Sequence, residues 1–184
     1  MLPRICIVTS NEHKFSEIKE VALEYGLEVE MCPGLKLEIQ SDDLADIVFK
    51  SALIAYMYLN KPIIVEDAGL FIDALNGFPG PYSSYVYRTI GINGILKLMN
   101  DASNRRACFR SAVALVINNR VFSATGEVCG EIATKPRGAG GFGFDPIFVP
   151  EGDSRTFAEM SIHEKNKYSH RAKAVRKVFE LLFK

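Results

Sequence analysis

The apolar run Ile63-Ile64-Val65 stops on two adjacent carboxylates, Glu66 and Asp67, and then on Ala68-Gly69. A run this short and apolar, entered through the helix breaker Lys61-Pro62, reads as a buried strand. Such a strand delivers its end to the rim of a sheet, where a ligand can approach. A carboxylate there is an ion-pair member, a ligand for a divalent metal, or an ordinary turn residue. Alternation along a strand sends Glu66 and Asp67 to opposite faces, so the pair need not act together.

The flanking sequence supplies an α/β frame. Residues 4–8 read as a first buried strand. Phe15, Ile18, Ala22 and Tyr25 then recur at helical spacing, and Gly26 closes that helix. Residues 27–31 alternate as a second strand, and Ser41-Asp42-Asp43 caps a helix carrying Leu44, Ile47, Val48, Ala55 and Leu59. Past the acidic pair, residues 76–85 are turn-rich and a helix is predicted over 89–99. Residues 107–117 and 121–128 read as a hairpin joined through Asn118-Asn119-Arg120, with a third extended piece at 130–133. A glycine-rich loop over 137–144 leads into Ile147-Phe148-Val149. A last helix carries Ala172, Val175, Val178, Phe179 and Leu182 on one face. This order predicts an α/β fold with a mixed sheet. Without a repeat or linker, the 184 residues read as one domain.

Lysine plus arginine (22) balances aspartate plus glutamate (22), so no global field draws nucleic acid. A polyanionic substrate would need a local cluster of basic groups. Cys6, Cys32, Cys108 and Cys129 show no C-x-x-C or metal spacing and read as reduced, buried thiols of a cytosolic protein. Residues 5–8 are too short for a secretory h-region, and no run approaches the ~20 apolar residues of a membrane span. A soluble protein of the cell interior is expected.

Five segments have chemical potential. In Thr9-Ser10-Asn11-Glu12-His13-Lys14, hydroxyl, amide and helix-start N–H groups make either an anion site or a plain helix cap. Glu38, between Leu37 and Ile39, either faces solvent or supplies a second metal oxygen beside Asp67. Lys50 lies off the apolar stripe of its helix, where a lysine is by default solvated. Phe142 and Phe144 stand among glycines, suited to stacking on a flat ligand, or one ring folds inward. Asp145, before Pro146, is expected to be extended and so fixed in direction. On one continuous helix Lys165, His170 and Arg171 would fan around the axis and could not face one ligand. A break is therefore predicted near Tyr168-Ser169. Ser169 would cap the last helix, and a Ser161/Glu164 capping box would start a short turn carrying Lys165.

Together, TSNEHK at 9–14, EDAGL at 66–70, FPGPYSS at 78–84, GFGFDPIF at 141–148 and SHRAKA at 169–174 resemble the inosine triphosphate pyrophosphatase family. The resemblance runs from about residue 5 to the C-terminus. It implies an elongated α/β fold with two lobes around a cleft, and usually a homodimer; with the cysteine usage and the lack of a signal or span, the expected location is cytoplasmic. It also implies Mg²⁺-dependent hydrolysis of ITP, dITP and XTP to the monophosphate and pyrophosphate. By resemblance, residues 9–14 hold the triphosphate with help from Lys50, and Glu38 and Asp67 hold magnesium. Asp67 is the base for the attacking water, with Glu66 its acidic neighbour. Phe142, Gly143, Phe144 and Asp145 orient the nucleobase, and Lys165, His170 and Arg171 contact its edge. Ala68 stands where many members have serine, so a hydroxyl contact is lost while the backbone N–H remains. Ser10 replaces a common glycine. The alternatives are a Maf-like pyrophosphatase of other specificity, whose motifs are missing, and a non-catalytic nucleotide binder, which would not need a water-activating carboxylate.

Overall fold

The computed structural model describes residues 4–33 and 39–184. Its frame is a seven-stranded mixed sheet: β1 (Ile5–Val8), β2 (Val29–Cys32), β3 (Ile63–Ile72), β4 (Pro79–Gly80), β5 (Arg106–Ile117), β6 (Arg120–Ile132) and β7 (Phe148–Pro150). The order is β2-β1-β3-β5-β6-β7, with β4 beside β3. β1 is parallel to β2 and β3, and every pairing from β3 through β7 is antiparallel. The helices are α1 (Glu12–Glu24), α2 (Leu44–Leu59), α3 (Ser83–Thr89), α4 (Gly91–Leu98), α5 (Ile162–Asn166) and α6 (His170–Leu182). None of the described helices is long and apolar enough to cross a membrane.

Strand alternation divides the core. Ile64, Val113 and Leu115 pack with Ile5 and Ile7 under α1 and α6, whereas Ile63, Val65, Ala112 and Ala114 pack under α2 on the other face. Further along the α1/α6 face, Leu70, Ile72, Phe109 and Ala107 pack with Val86, Ile95, Phe148 and Phe157. Glu66 and Ser111 stand between these two apolar clusters on one face of the sheet, and there the expected cleft between two lobes opens. β3 pairs with β1 only at Ile63 and Ile64 and with β4 only at Leu70 and Phe71. Its middle, Glu66 to Ala68, therefore lies along a gap in the sheet.

Several sequence expectations change. β3 continues through the acidic pair to Ile72, and β6 is one strand rather than two pieces. The helix predicted over 89–99 is present as α4, but the stretch read as turn-rich up to residue 85 already starts a further helix, α3, at Ser83, and Gly91, with φ +63°, separates the two. The cysteines are not free thiols: Cys6 is bonded to Cys32 and Cys108 to Cys129. The sheet brings each pair together, with Cα separations of 5.8 and 4.0 Å. The break at Tyr168-Ser169 is present. Ser161 and Glu164 form a capping box for α5, and the Ser169 side chain accepts from the Ala172 N–H to start α6.

Candidate active site

The gap in β3 opens into a cavity of about 860 Å³. Its walls come from the loop after β1 (Thr9, Ser10, Asn11), the start of α1 (His13, Lys14), the middle of β3 (Asp67, Ala68) and α3. The glycine loop and the α5–α6 junction complete it with Phe142, Lys165, His170 and Arg171.

At the α1 end, the Asn11 side-chain oxygen accepts from the His13 and Lys14 N–H groups, and Thr9 Oγ1 accepts from the Asn11 N–H. Asn11 is thus a true N-cap, and those helix donors are already engaged. Lys14 reaches back over the strand: its Nζ lies 3.0 Å from Glu66 and 3.5 Å from Asp67. Although alternation points the two carboxylates to opposite faces, one ammonium bridges both at the open edge.

Behind Glu66 runs a buried chain of charges. Ser111 donates to Glu66 at 2.7 Å, and Arg171 Nε lies 3.0 Å from the same carboxylate. Arg171 also donates to Glu17, which accepts from Lys165 at 2.8 Å. Lys165 donates again to Asp145 at 2.6 Å, and Asp145 accepts from the Phe142 N–H at 2.9 Å. Burial alone would raise Glu66, but the charges of Arg171 and Lys14 and the bonds from Ser111 and Lys14 outweigh it. The carboxyl is held far below the usual range. Glu17 follows the same rule: burial opposes ionisation, and Arg171 and Lys165 reverse it. Asp145 moves the other way, because burial, helped by the charge of Glu17, prevails over Lys165. A chain like this persists only when every member is partnered, since an unpaired buried charge is costly.

The far end of the cavity is aromatic. Phe142 stacks on His13 with centroids 5.3 Å apart, and the Lys165 and Arg171 cations lie 5.1 and 5.3 Å from its ring. His170 stacks on Phe109 at 4.8 Å. Burial, with the charges of Arg171 and Lys165, pushes its imidazole well below the usual value, so the ring is neutral at pH 7. Its buried Nδ1 has no hydrogen-bond partner among the described residues. Two glycines permit this assembly. At Gly126 a Cβ would meet the His170 carbonyl oxygen of α6, and at Gly141, with φ +67°, it would meet the Asp145 carboxylate.

The expected site residues divide in instructive ways. Thr9, Ser10, Asn11, His13, Lys14, Asp67, Ala68, Phe142, Gly143, Asp145, Lys165, His170 and Arg171 all line the cavity. Phe144 touches it too, but its ring turns into the core and meets Tyr87 edge-on, which corrects its role as a stacking platform. Asp145 is not extended. It opens a short 3₁₀ turn, and Lys165 and the Phe142 N–H set its direction instead. Glu66 sits behind the wall. Glu12 is exposed and absent from the lining, and Lys50 is exposed and paired with Asp46 at 2.9 Å, away from the cavity. Glu38 lies outside the described residues. Sequence reasoning passed over Glu17, whose signal was a carboxylate on the apolar side of α1, one position before Ile18 and four before Val21. It also passed over Phe109, Tyr87 and Arg88, and quoted Ser83 and Ser84 in a motif without giving them a role.

The profile described as "Ham1 family" matches residues 5–181. A protein of Hyperthermus butylicus named dITP/XTP pyrophosphatase is 56% identical over 174 residues, covering 95% of this chain and 92% of its own. One of the same name from Saccharolobus solfataricus is 49% identical over 179 residues, covering 97% and 93%. The solved structure of a HAM1 protein from Coxiella burnetii superposes with a TM-score of 0.83 at 30% identity, covering 99% of each chain.

Proposed function

As the chain belongs to the Ham1 family, we propose that it is a nucleoside triphosphate pyrophosphatase that hydrolyses non-standard purine nucleotides (ITP, dITP and XTP) to the monophosphate and pyrophosphate. The observation that supports this most is the buried charge chain from Asp145 to Asp67. It joins an aromatic, donor-rich end to a carboxylate end within one cavity.

The nucleobase lies on Phe142, steadied by ring stacking. Its 6-oxo group accepts from the free donor capacity of Lys165 and from neutral His170, both of which line the cavity. Adenine carries an amino donor at that position and would face donors, so it is rejected by unpaired polar groups. The triphosphate extends toward Thr9, Ser10 and Lys14. Asp67 accepts the proton of the water that attacks the α-phosphorus, and Lys14 neutralises charge there. Glu66, held ionised by Arg171, Lys14 and Ser111, keeps Lys14 in place.

The donor set suits Mg²⁺. Asp67 offers a carboxylate beside the Thr9 and Ser10 hydroxyls, all oxygen, with Glu38 proposed as the second carboxylate. When bound, the ion supplies charge neutralisation at the phosphates. Cytoplasmic location and a homodimer complete the reading.

The test is incubation with ITP, XTP, GTP, ATP and dTTP plus Mg²⁺, assaying pyrophosphate separately from orthophosphate. Pyrophosphate from ITP and XTP, with little from ATP, is the expected result. Orthophosphate release or a preference for dTTP defeats the reading.

A further inference from the structure

Three cations of the cavity wall are already committed to carboxylates. Lys14 is shared by Glu66 and Asp67, Lys165 by Glu17 and Asp145, and Arg171 by Glu17 and Glu66. Against these three stand four carboxylates, so the described ionic groups of this assembly leave no positive excess for a polyanion. Among the described residues, one further cation lines the cavity, Arg88. Its guanidinium donates to Ser84 Oγ at 2.6 Å and, among the described residues, has no carboxylate partner. An arginine with a spare fork of donors beside a cavity matches phosphate oxygens in both geometry and charge.

Arg88 is also firmly placed. Ser83, Ser84, Tyr87 and Arg88 occupy one face of α3, and all four line the cavity. The buried Ser83 hydroxyl donates to the Gly80 carbonyl and accepts from the Leu70 N–H, tying α3 to β3 and β4. Tyr87 meets Phe144 edge-on, which joins α3 to the loop carrying Phe142. The helix packs through Val86 into the apolar cluster on the far side of the cleft from α1, so Arg88 belongs to a different wall from Lys14.

We infer that Arg88, oriented by Ser84, binds the β,γ-phosphoryl end of the substrate and the pyrophosphate that leaves, so that the two lobes grip the polyanion from two sides. This rests on the reading of the cavity as a nucleoside triphosphate site. Because Arg88 is exposed and makes one side-chain hydrogen bond, its replacement spares the fold.

The experiment measures inorganic tripolyphosphate binding by calorimetry with Mg²⁺ for wild type, Arg88→Ala and Arg88→Lys. It adds kcat and KM for ITP, and inhibition by IMP. Arg88→Ala should weaken tripolyphosphate and raise the KM for ITP by about tenfold, the loss of a charge-assisted contact. Inhibition by IMP, which lacks the β and γ groups, should stay unchanged, and Arg88→Lys should recover part of the loss. Equal tripolyphosphate affinity in wild type and Arg88→Ala overturns the inference. So does an equal weakening of IMP. A wild type that binds tripolyphosphate through Arg88 but does not cleave ITP would defeat the proposed reaction and not this contact.

Discussion

At the Phe142 end of the cavity the charged side chains are sealed and paired, with Glu17, Lys165 and Arg171 at most 3% exposed. At the Thr9 end Lys14 and Asp67 are 17% and 13% exposed, and one ammonium serves two carboxylates. The first arrangement is assembled before any ligand arrives, so base recognition has little left to organise on binding. The second keeps its charged groups near solvent, where a metal and a triphosphate can enter and a product can leave. Rigidity is placed where discrimination is needed and accessibility where chemistry occurs.

The sharpest way to break this contrast is to neutralise one carboxylate at each end. Asp67→Asn should lower kcat for ITP by about a thousandfold, within the range of a lost general base, while leaving the denaturation midpoint nearly unchanged. Steady-state kinetics beside urea unfolding checks both. Unchanged turnover would remove Asp67 from the mechanism.

Glu17→Gln should act in the opposite sense. It strands Lys165 and Arg171 in a buried site, so stability should fall by about 3–5 kcal/mol in urea unfolding. If the variant unfolds like wild type, the chain is not an energetic unit.

The smallest expected effect is that of pH on stability. His170 is depressed in the fold, whereas in the unfolded chain it titrates at about 6.5. The unfolded state therefore binds the extra proton first. The contribution of His170 is fully present above pH ~6.5 and is lost as pH falls, by up to about 1.4 kcal/mol per unit. Glu17 and Glu66 are depressed as well, but their contribution stays intact until pH drops below about 4.3, the unfolded value for glutamate. Unfolding free energies between pH 7 and 5 should slope for wild type and flatten for His170→Asn. An unaltered slope would place the titration elsewhere.

Much of this architecture was legible in the chain. The strand and helix order followed from apolar periodicity. The break before His170 followed from the impossibility of turning Lys165, His170 and Arg171 toward one ligand on a continuous helix. The Cys108–Cys129 bond was legible in principle. A two-residue turn at Asn118-Asn119 opposes positions equidistant from it, and these cysteines are such a pair. Phe142 and Phe144 could not be told apart, because both follow a glycine and only the surrounding packing turns one ring to the cavity and the other to the core.

By itself the sequence determined the local terms: which residues cap, which face of each element is apolar, and which motif residues stand at strand ends and helix starts. These depend on neighbours within a few positions, and their period is written in the chain. Only the tertiary structure decided which charges meet. Glu17 finds Lys165 and Arg171 at separations of 148 and 154 residues, and Glu66 finds Ser111 across the sheet. Burial then turns those encounters into a requirement, because a charge removed from water must be answered by a partner that no local pattern names.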